Sequence, residues 1–295
     1  MVTNYIYHHE ILERLLFRFS KKWLGGYNIV EAIHNANSVN LDGVYAIINY
    51  LGEGGTELEE VHKTLCEYSS LLIQMNKERI QGSISIKPTQ LGLDISYEIC
   101  LKRIKKLVDI ASRFNYFVWI DMESYSHVDD TLSIYLDIFQ NYSNVGVALQ
   151  AYLRRSRSDL IHLIEHRSNI RLVKGAYHNS RKIAYQSKNE IRANFLTLLD
   201  ISFKENHKAV LAVATHDTQL INRAQSLCNE YLETLKYIQF QFLKGIKCEL
   251  RNQLLANCYQ VCEYIPYGKT WLPFVLRRLK ARKRELIYLS ASLIK

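Results

Sequence analysis

Eight short apolar runs recur along this 295-residue chain, and they constrain its fold more than any other feature. Each run is rich in β-branched residues, and most of the stretches between runs are long enough for a helix and carry its pattern. Short, nearly continuous apolar strands that alternate with helices indicate a parallel sheet buried on both faces. The runs lie at residues 44–52, 83–90, 117–123, 145–152, 170–177, 210–217, 237–245 and 260–268.

Eight strand–helix units within about 250 residues predict an α/β fold of the closed (β/α)8, or TIM, barrel type. The alternative is an open doubly wound sheet, which usually carries a G-x-G-x-x-G turn after its first strand. Here the first run ends in LGEGG, which does not fit that turn. Because 3 Pro and 12 Gly leave little room for linkers, we expect one domain over 1–295. It would have a helical lead-in over 1–40 and a C-terminal tail over 285–295.

Local signals place several helices between and after the runs. Asn28 is expected to cap a helix of the lead-in. Thr56 and Glu59 have the spacing of a capping box, which predicts a helix that Thr56 opens. Thr270 is expected to cap a final helix, with Pro273 in its first turn, where a missing N–H costs little.

Charge and composition restrict the classes of partner. The net charge is +9, which suits nucleic acid, an anionic membrane surface, or an anionic substrate or cofactor. The charge is spread widely and no nucleic-acid motif is present, so we do not expect nucleic-acid binding. The N-terminus lacks the features of a secretory signal, so we expect a cytoplasmic protein whose 6 cysteines are reduced. No nearby histidine pair completes a zinc site around Cys258 and Cys262, and no metal site is predicted.

A barrel places its active residues at the C-terminal ends of its strands. Polar side chains do collect there, although a charge in a buried strand is costly unless it is paired or used. The residues in question are Lys87, Asp121, Glu123, Gln150, Arg171, Lys174, Thr215, His216, Asp217, Gln239, Gln241 and Tyr264.

Each of these residues also has a purely structural interpretation. Asp121 and Glu123 could be ordinary ion-pair partners of the neighbouring cations. Lys174 could be a solvated strand end, His216 a core histidine and Tyr264 a packing residue.

The chemistry of this set is dominated by cations. Lys87, Arg171 and Lys174 are joined by the adjacent Arg277 and Arg278 of the final helix, which could straddle a carboxylate or belong to a solvated basic helix end. No serine or cysteine stands beside a histidine, so hydrolysis through a covalent intermediate is not expected. The residues alone therefore predict a bound organic cofactor with phosphates and a carboxylate substrate.

The motifs carry a resemblance that goes further. ISIKPTQLGL, IDMES, VGVALQAYLRRS, IRLVKGAY, ATHD, FQFLKGI, EYIPYG and the arginine pair occur in this order with barrel spacing. Together, over roughly residues 20–285, they closely resemble proline dehydrogenase of the short monofunctional bacterial and archaeal type. The resemblance implies a distorted (β/α)8 barrel that binds FAD and whose last helix lies over the barrel mouth.

The resemblance also implies roles for individual residues. Lys87, Arg277 and Arg278 match positions that hold the proline carboxylate, and Tyr264 matches the aromatic residue that packs on the substrate ring. Asp121 matches a carboxylate at the active centre that organises the cations and tunes proton handling at the substrate amine. Arg171 matches the cation beside the reactive edge of the flavin. The remaining matches to flavin-binding positions are Met122, Gln150, Lys174, Gly175, Ala176, Thr215, His216 and Gln241.

The implied reaction is hydride transfer from C5 of L-proline to N5 of FAD, which gives 1-pyrroline-5-carboxylate. A membrane quinone then takes the electrons, and a pyrroline-5-carboxylate dehydrogenase is a further partner to consider. The basic and apolar residues of 277–295 could rest on the inner face of the cell membrane, or dock on the barrel as a solvated helix end.

The chain departs from the family pattern at four positions. Phe274 stands where tyrosine is often found, Ala281 where glutamate is common, Gln239 where glutamate is usual, and Lys244 where histidine or tyrosine is more frequent. These changes leave open an alternative, in which the protein binds ligand as a proline or flavin sensor with low activity.

Overall fold

Eight parallel strands close into a barrel in the computed structural model, in the order β1 to β8 with β8 beside β1. The structure describes residues 20–52, 56–177, 179–205 and 208–281. The strands are β1 Tyr45–Tyr50, β2 Gly82–Ile86, β3 Phe117–Ile120, β4 Val145–Gln150, β5 Ile170–Val173, β6 Leu211–Ala214, β7 Ile238–Leu243 and β8 Gln260–Tyr267. Each strand coincides with one predicted apolar run, except that β2 begins one residue before its run, so the barrel prediction is confirmed.

Helices connect the strands and surround the barrel. They are α1 Ile29–Leu41, α2 Leu58–Lys77, α3 Tyr97–Arg113, α4 Val128–Phe139, α5 Ser156–Glu165, α6 Lys188–Glu205, α7 Thr218–Glu230, α8 Cys248–Ala256 and α9 Leu272–Ala281. None of the helices in the described ranges is long and apolar enough to cross a membrane. The first helical part of the predicted lead-in and the tail over 285–295 lie outside the described residues.

The predicted helix starts have mixed outcomes. Asn28 caps α1, because its side chain accepts a hydrogen bond from the Glu31 N–H. The capping box at Thr56 is wrong: α2 exists, but Glu57 occupies the N-cap and makes no side-chain capping bond. The prediction that Thr270 caps the final helix is wrong: the helix begins with a bond from Val275 N–H to the Trp271 carbonyl, so Trp271 occupies the cap position.

The strands bury both faces, as a barrel requires. Their outer faces join the helices in one large apolar core. Inside the barrel lies a smaller cluster that includes Ile47, Trp119, Ala212 and Cys262. Gly146 makes room for the Trp119 ring, because a Cβ on it would lie 2.5 Å from a ring carbon. This apolar layer forms the floor beneath the polar residues at the strand ends.

The last helix packs at the C-terminal end of the barrel, as predicted. Trp271 and Val275 at its start contact Leu51, which follows β1, and Ile246, which follows β7. Phe274 is partly buried against the same cluster. This packing brings the backbone of α9 close to the strand ends.

Candidate active site

Asp121, directly after β3, is the centre of a hydrogen-bonded cluster at the barrel mouth. Its Oδ1 accepts hydrogen bonds from Ser85 Oγ at 2.8 Å and Arg171 Nη1 at 2.7 Å. Its Oδ2 accepts from the Tyr264 hydroxyl at 3.0 Å and from Lys87 Nζ at 3.4 Å. Each carboxylate oxygen therefore accepts two hydrogen bonds, which uses its acceptor capacity.

The charges in this cluster hold Asp121 ionised. Burial raises the pKa of Asp121, but Lys87 and Arg171, with the hydrogen bonds it accepts, outweigh this and lower its pKa. Burial also raises the pKa of Tyr264, so that its hydroxyl stays protonated and can donate to Asp121. Two cations and one carboxylate leave the cluster with one positive charge, which favours an anionic ligand.

Arg171 reaches into the barrel from β5 and is only 3% exposed. Its Nε donates to Gln241 Oε1 at 2.7 Å, and its guanidinium lies 4.6 Å from the centre of the Trp119 ring. Burial lowers the pKa of Arg171, and the Asp121 charge opposes that shift. Arg171 Nη2 is buried and has no hydrogen-bond partner among the described residues. Such a donor is costly unless a ligand or water accepts from it.

Lys87 follows β2 at the same mouth and its side chain is 20% exposed. Besides Asp121, its ammonium contacts the amide oxygen of Asn49 at 3.2 Å. Asn49 is neutral and fully buried. Lys87 is thus held by one shared carboxylate and one neutral acceptor, so its charge remains available to a ligand.

A second polar group lies at the ends of β5 and β6. Asp217 accepts from Lys174 Nζ at 2.6 Å and from Arg192 Nε at 2.9 Å. Its backbone N–H donates to Thr215 Oγ1 at 3.2 Å. Lys174 and Arg192 are about one-third exposed, at 35% and 31%. Two partly exposed cations that share one carboxylate could bind a further anion, such as a phosphate.

His216 lies between these groups and contacts β7. Its Nε2 accepts a hydrogen bond from the Leu243 N–H at 2.9 Å, and its ring packs edge-on against Phe242 at 5.7 Å. Because Nε2 acts as an acceptor here, the ring is held in one orientation at the mouth.

Gln150 is the last residue of β4 and is almost fully buried. Its Nε2 donates to the backbone carbonyls of Met122 and Glu123 at 3.1 and 3.2 Å. Its Oε1 is buried without a partner in the described part of the chain. Glu123 points away from the cluster, since it accepts from the Thr89 N–H and hydroxyl. Glu123 is therefore a structural residue, and Gln150 presents a free acceptor.

Gly175 opens the loop after β5. Its φ of +99° is rarely adopted by residues with a side chain, and a Cβ would lie 2.1 Å from the Tyr152 ring. Ala176 follows it and is exposed. Both the backbone conformation and the Tyr152 ring therefore require glycine at this turn beside Lys174.

The arginine pair lies on α9, but the side chains of Arg277 and Arg278 are outside what the structure describes. The same holds for Ala281. Of the other departures, Lys244 points to the outside of the barrel, where its ammonium lies 3.9 Å from Glu263. Gln239 lies inside the barrel, where its Oε1 accepts from Gln241 Nε2 at 3.1 Å.

Several residues of the site were not selected from the sequence. Ser85 and Asn49 could have been found, because Ser85 lies two residues before Lys87 on the same strand face and Asn49 is the polar residue of an apolar run. Trp119 had no such signal. Arg192 lies on α6, and nothing in its local pattern connects it to Asp217.

Comparison with known proteins gives a consistent family. The sequence profile of the family described as proline dehydrogenase matches residues 32–282. Proline dehydrogenase 1 of Bacillus subtilis strain 168 is 30% identical over 276 residues, which cover 94% of this chain and 91% of that protein. Proline dehydrogenase of Deinococcus radiodurans is 26% identical over 291 residues, covering 97% and 93%.

A solved structure shows the same fold. Proline utilization A from Bdellovibrio bacteriovorus, inactivated by N-propargylglycine, superimposes with a TM-score of 0.84 at 21% identity. The match covers 92% of this chain and 33% of that longer protein.

Proposed function

The chain belongs to the proline dehydrogenase family, and we propose that it oxidises L-proline to 1-pyrroline-5-carboxylate with FAD as its bound cofactor. The observation that carries the proposal is the cluster around Asp121 at the barrel mouth. It combines a surplus positive charge, an aromatic hydroxyl and a buried guanidinium with one unpaired donor. These features suit a small carboxylate substrate beside an aromatic, electron-accepting cofactor.

The substrate carboxylate would bind to Lys87, with Arg277 and Arg278 approaching from α9. Lys87 is held without being neutralised, and α9, the helix whose sequence carries the arginine pair, packs at the strand ends through Trp271 and Val275. Planar guanidinium groups can donate bidentate hydrogen bonds to a carboxylate. Tyr264, fixed through its hydroxyl to Asp121, would contact the proline ring.

The residues present fit FAD. Arg171 Nη2 and Gln150 Oε1 are buried polar atoms that lack partners among the described residues. Gly175, with its positive φ, turns the chain after β5 next to Lys174, where the Tyr152 ring fills the space that a Cβ would need. The residues that would hold the cofactor are Met122, Gln150, Arg171, Lys174, Gly175, Ala176, Thr215, His216 and Gln241. FAD held by these residues would supply the acceptor for the hydride that leaves C5 of L-proline.

Asp121 would organise the site and would not take the proton of the substrate amine. Its oxygens already accept four hydrogen bonds, and its pKa is lowered. The amine must be neutral when the hydride leaves, so its proton would go to water at the mouth. The buried Arg171 guanidinium would stabilise the negative charge that the cofactor gains on reduction.

The electrons would pass to a membrane quinone, and the product would be available to a pyrroline-5-carboxylate dehydrogenase. We propose that residues 277–295 bring the protein to the inner face of an anionic membrane, because they mix Arg and Lys with Leu, Ile and Tyr. Deleting the residues after Arg284 should then reduce co-sedimentation with anionic liposomes. Unchanged co-sedimentation would contradict the membrane role.

The test of function is anaerobic mixing of the FAD-loaded protein with L-proline while the flavin absorption band is followed. We expect L-proline to bleach the band, and glycine and D-proline to leave it. Arg277→Met should abolish bleaching at ordinary proline concentrations, whereas Arg223→Met should not. Arg223 is a matched control, because it pairs with Asp200 and Glu230 on the surface away from the mouth.

The same experiment separates the alternative function. Gln239 and Ala281 replace residues that are usual in the family, which favours a sensor of proline or flavin with low activity. A protein that binds FAD and proline without bleaching would be that sensor. A protein that binds neither would contradict both proposals.

A further inference from the structure

The hydroxyl of Tyr68, on α2, separates the C-terminal ends of β1 and β2. The ladder between these strands begins with a bond from Ala46 N–H to the Gln81 carbonyl. Four residues further along, the same pattern would join Tyr50 N–H to the Ser85 carbonyl. Instead, Tyr50 N–H donates to the Tyr68 hydroxyl at 3.2 Å, and that hydroxyl donates to the Ser85 carbonyl at 2.8 Å.

Asn49 completes this arrangement beside the hydroxyl. Its Nδ2 donates to the Ser85 carbonyl at 2.9 Å and to the Tyr68 hydroxyl at 3.2 Å. Both donor hydrogens of the amide are thereby used, so its oxygen must face the other way. That oxygen accepts from Lys87 Nζ at 3.2 Å. Asn49 and Tyr68 are both fully buried, so water does not compete for these bonds.

We propose that Tyr68 and Asn49 are positioning residues that aim the Lys87 ammonium at the substrate carboxylate. The proposal rests on the proposed function and deepens it. The bond from Lys87 to Asp121, at 3.4 Å, is the longest of the four that Asp121 accepts, so Asp121 alone holds the ammonium weakly. Asn49 supplies a second acceptor that adds no negative charge. The ammonium is thus fixed in place while its charge remains free for the substrate.

Removing the Tyr68 hydroxyl should disturb this geometry at its source. In Tyr68→Phe, Tyr50 N–H and the Ser85 carbonyl lose their shared partner and can pair only if the two strand ends move together. Such a movement carries the end of β2, and with it Lys87, away from its present position. Asn49 also loses one of its two acceptors, so its amide is held less firmly in the orientation that faces Lys87.

The experiment measures two constants on FAD-loaded protein: KM for L-proline, and the inhibition constant Ki of cyclopentanecarboxylate. The inhibitor keeps the ring and the carboxylate but has no oxidisable amine. We expect Tyr68→Phe to raise KM and Ki together, by about tenfold, and to leave kcat within about twofold. Asn49→Ala removes the oxygen that faces Lys87 and should give the same paired rise, which keeps the test decisive if one variant does not fold.

Tyr135→Phe is the matched control. Tyr135 is also a fully buried tyrosine of an outer helix, and its hydroxyl accepts from the Asn169 N–H at 3.0 Å. Asn169 precedes β5, so this contact lies at the opposite end of the barrel. Tyr135→Phe should leave KM and Ki within about twofold of the wild-type values, although it removes the same group.

Three outcomes would overturn the proposal: unchanged KM and Ki in Tyr68→Phe and Asn49→Ala, a fall in kcat alone, or equal rises in Tyr135→Phe. Failure of the proposed function is a separate result, since the wild-type protein would then not oxidise L-proline at all.

Discussion

Asp121→Asn should destabilise the protein strongly, because it removes the one negative charge that two buried or half-buried cations share. Arg171 is 3% exposed and the Lys87 side chain 20% exposed. Removing one partner of a buried ion pair costs about 3–5 kcal/mol. Asparagine keeps an oxygen for Ser85 and Arg171, but its amide N–H groups would face the Lys87 ammonium, which cannot accept a hydrogen bond, and the Tyr264 hydroxyl, which would have to turn in order to accept one. Since Lys87 can reach water, we expect a net loss of about 3 kcal/mol.

The expected loss is measurable as a shift in thermal unfolding. With an unfolding entropy of about 2 cal/mol/K per residue, a loss of about 3 kcal/mol lowers Tm by about 5 °C for a chain of this length. Urea denaturation would give the free energy directly. Asp109→Asn is the control, because its partner Arg113 is 73% exposed and such pairs contribute at most about 1 kcal/mol. A loss in Asp121→Asn no larger than in the control would refute the reasoning.

The pH dependence of the free energy of unfolding provides a second check on the wild-type protein and Asp121→Asn. The pKa of Asp121 is lowered in the folded protein, so its contribution is complete above the unfolded value of about 3.9. It is lost only as the pH falls through the folded pKa. The difference between wild type and Asp121→Asn should therefore stay constant from pH 8 to pH 5. A difference that already closes between pH 7 and pH 5 would mean a raised pKa, and would contradict the charge analysis.

Two further predictions follow from the glycine loop and from the thiols. Gly175→Ala should cost about 1–3 kcal/mol and reduce retention of flavin on gel filtration, because φ is positive and the Tyr152 ring blocks a Cβ; full flavin retention would contradict the assigned role. An aromatic disulfide reagent at pH 8 should modify three thiols in the native protein and six after unfolding. Modification of more than three thiols in the native protein would contradict the burial of the other three cysteines. The reason is that burial raises the pKa of the buried thiols to about 12, so they stay protonated and inaccessible. The exposed thiols are Cys66, Cys248 and Cys258, and the buried ones are Cys100, Cys228 and Cys262.

The sequence was informative wherever a local pattern determined the structure. The eight apolar runs predicted all eight strands, because burial on both faces demands continuous apolar residues. Polar residues at the ends of the runs indicated where the barrel mouth lies. The structural interpretation of Asp121, as an ion-pair partner of a neighbouring cation, is confirmed by its contact with Lys87, and it is compatible with the proposed role of Asp121 in the active site. Thr56 misled because its capping pattern competes with an equally polar neighbour, Glu57.

Contacts between residues that are far apart in the sequence could not be predicted from the sequence. Arg171 donates a hydrogen bond to Ser85, which is 86 residues away in the sequence. The local sequence around either residue does not indicate the other as its partner. The same applies to Tyr68, a buried residue of α2 that the sequence analysis did not select. Its hydroxyl can bond to Tyr50 and Ser85 only because the barrel brings the ends of β1 and β2 beside it. The pairing of Asp217 with Arg192 depends likewise on how α6 packs.

The cluster around Asp121 also has a consequence for how the protein folds. Asp121 and Tyr264 are 143 residues apart, and Tyr264 lies on the strand that closes the barrel against β1. Contacts of such high contact order form late, after the entropy of a long loop has been lost. In a nascent chain whose β8 has not yet left the ribosome, Asp121, Arg171 and Lys87 therefore still lack the hydrogen bond from Tyr264. Recovery of activity during refolding should thus report the closure of the barrel and lag behind the recovery of helix signal.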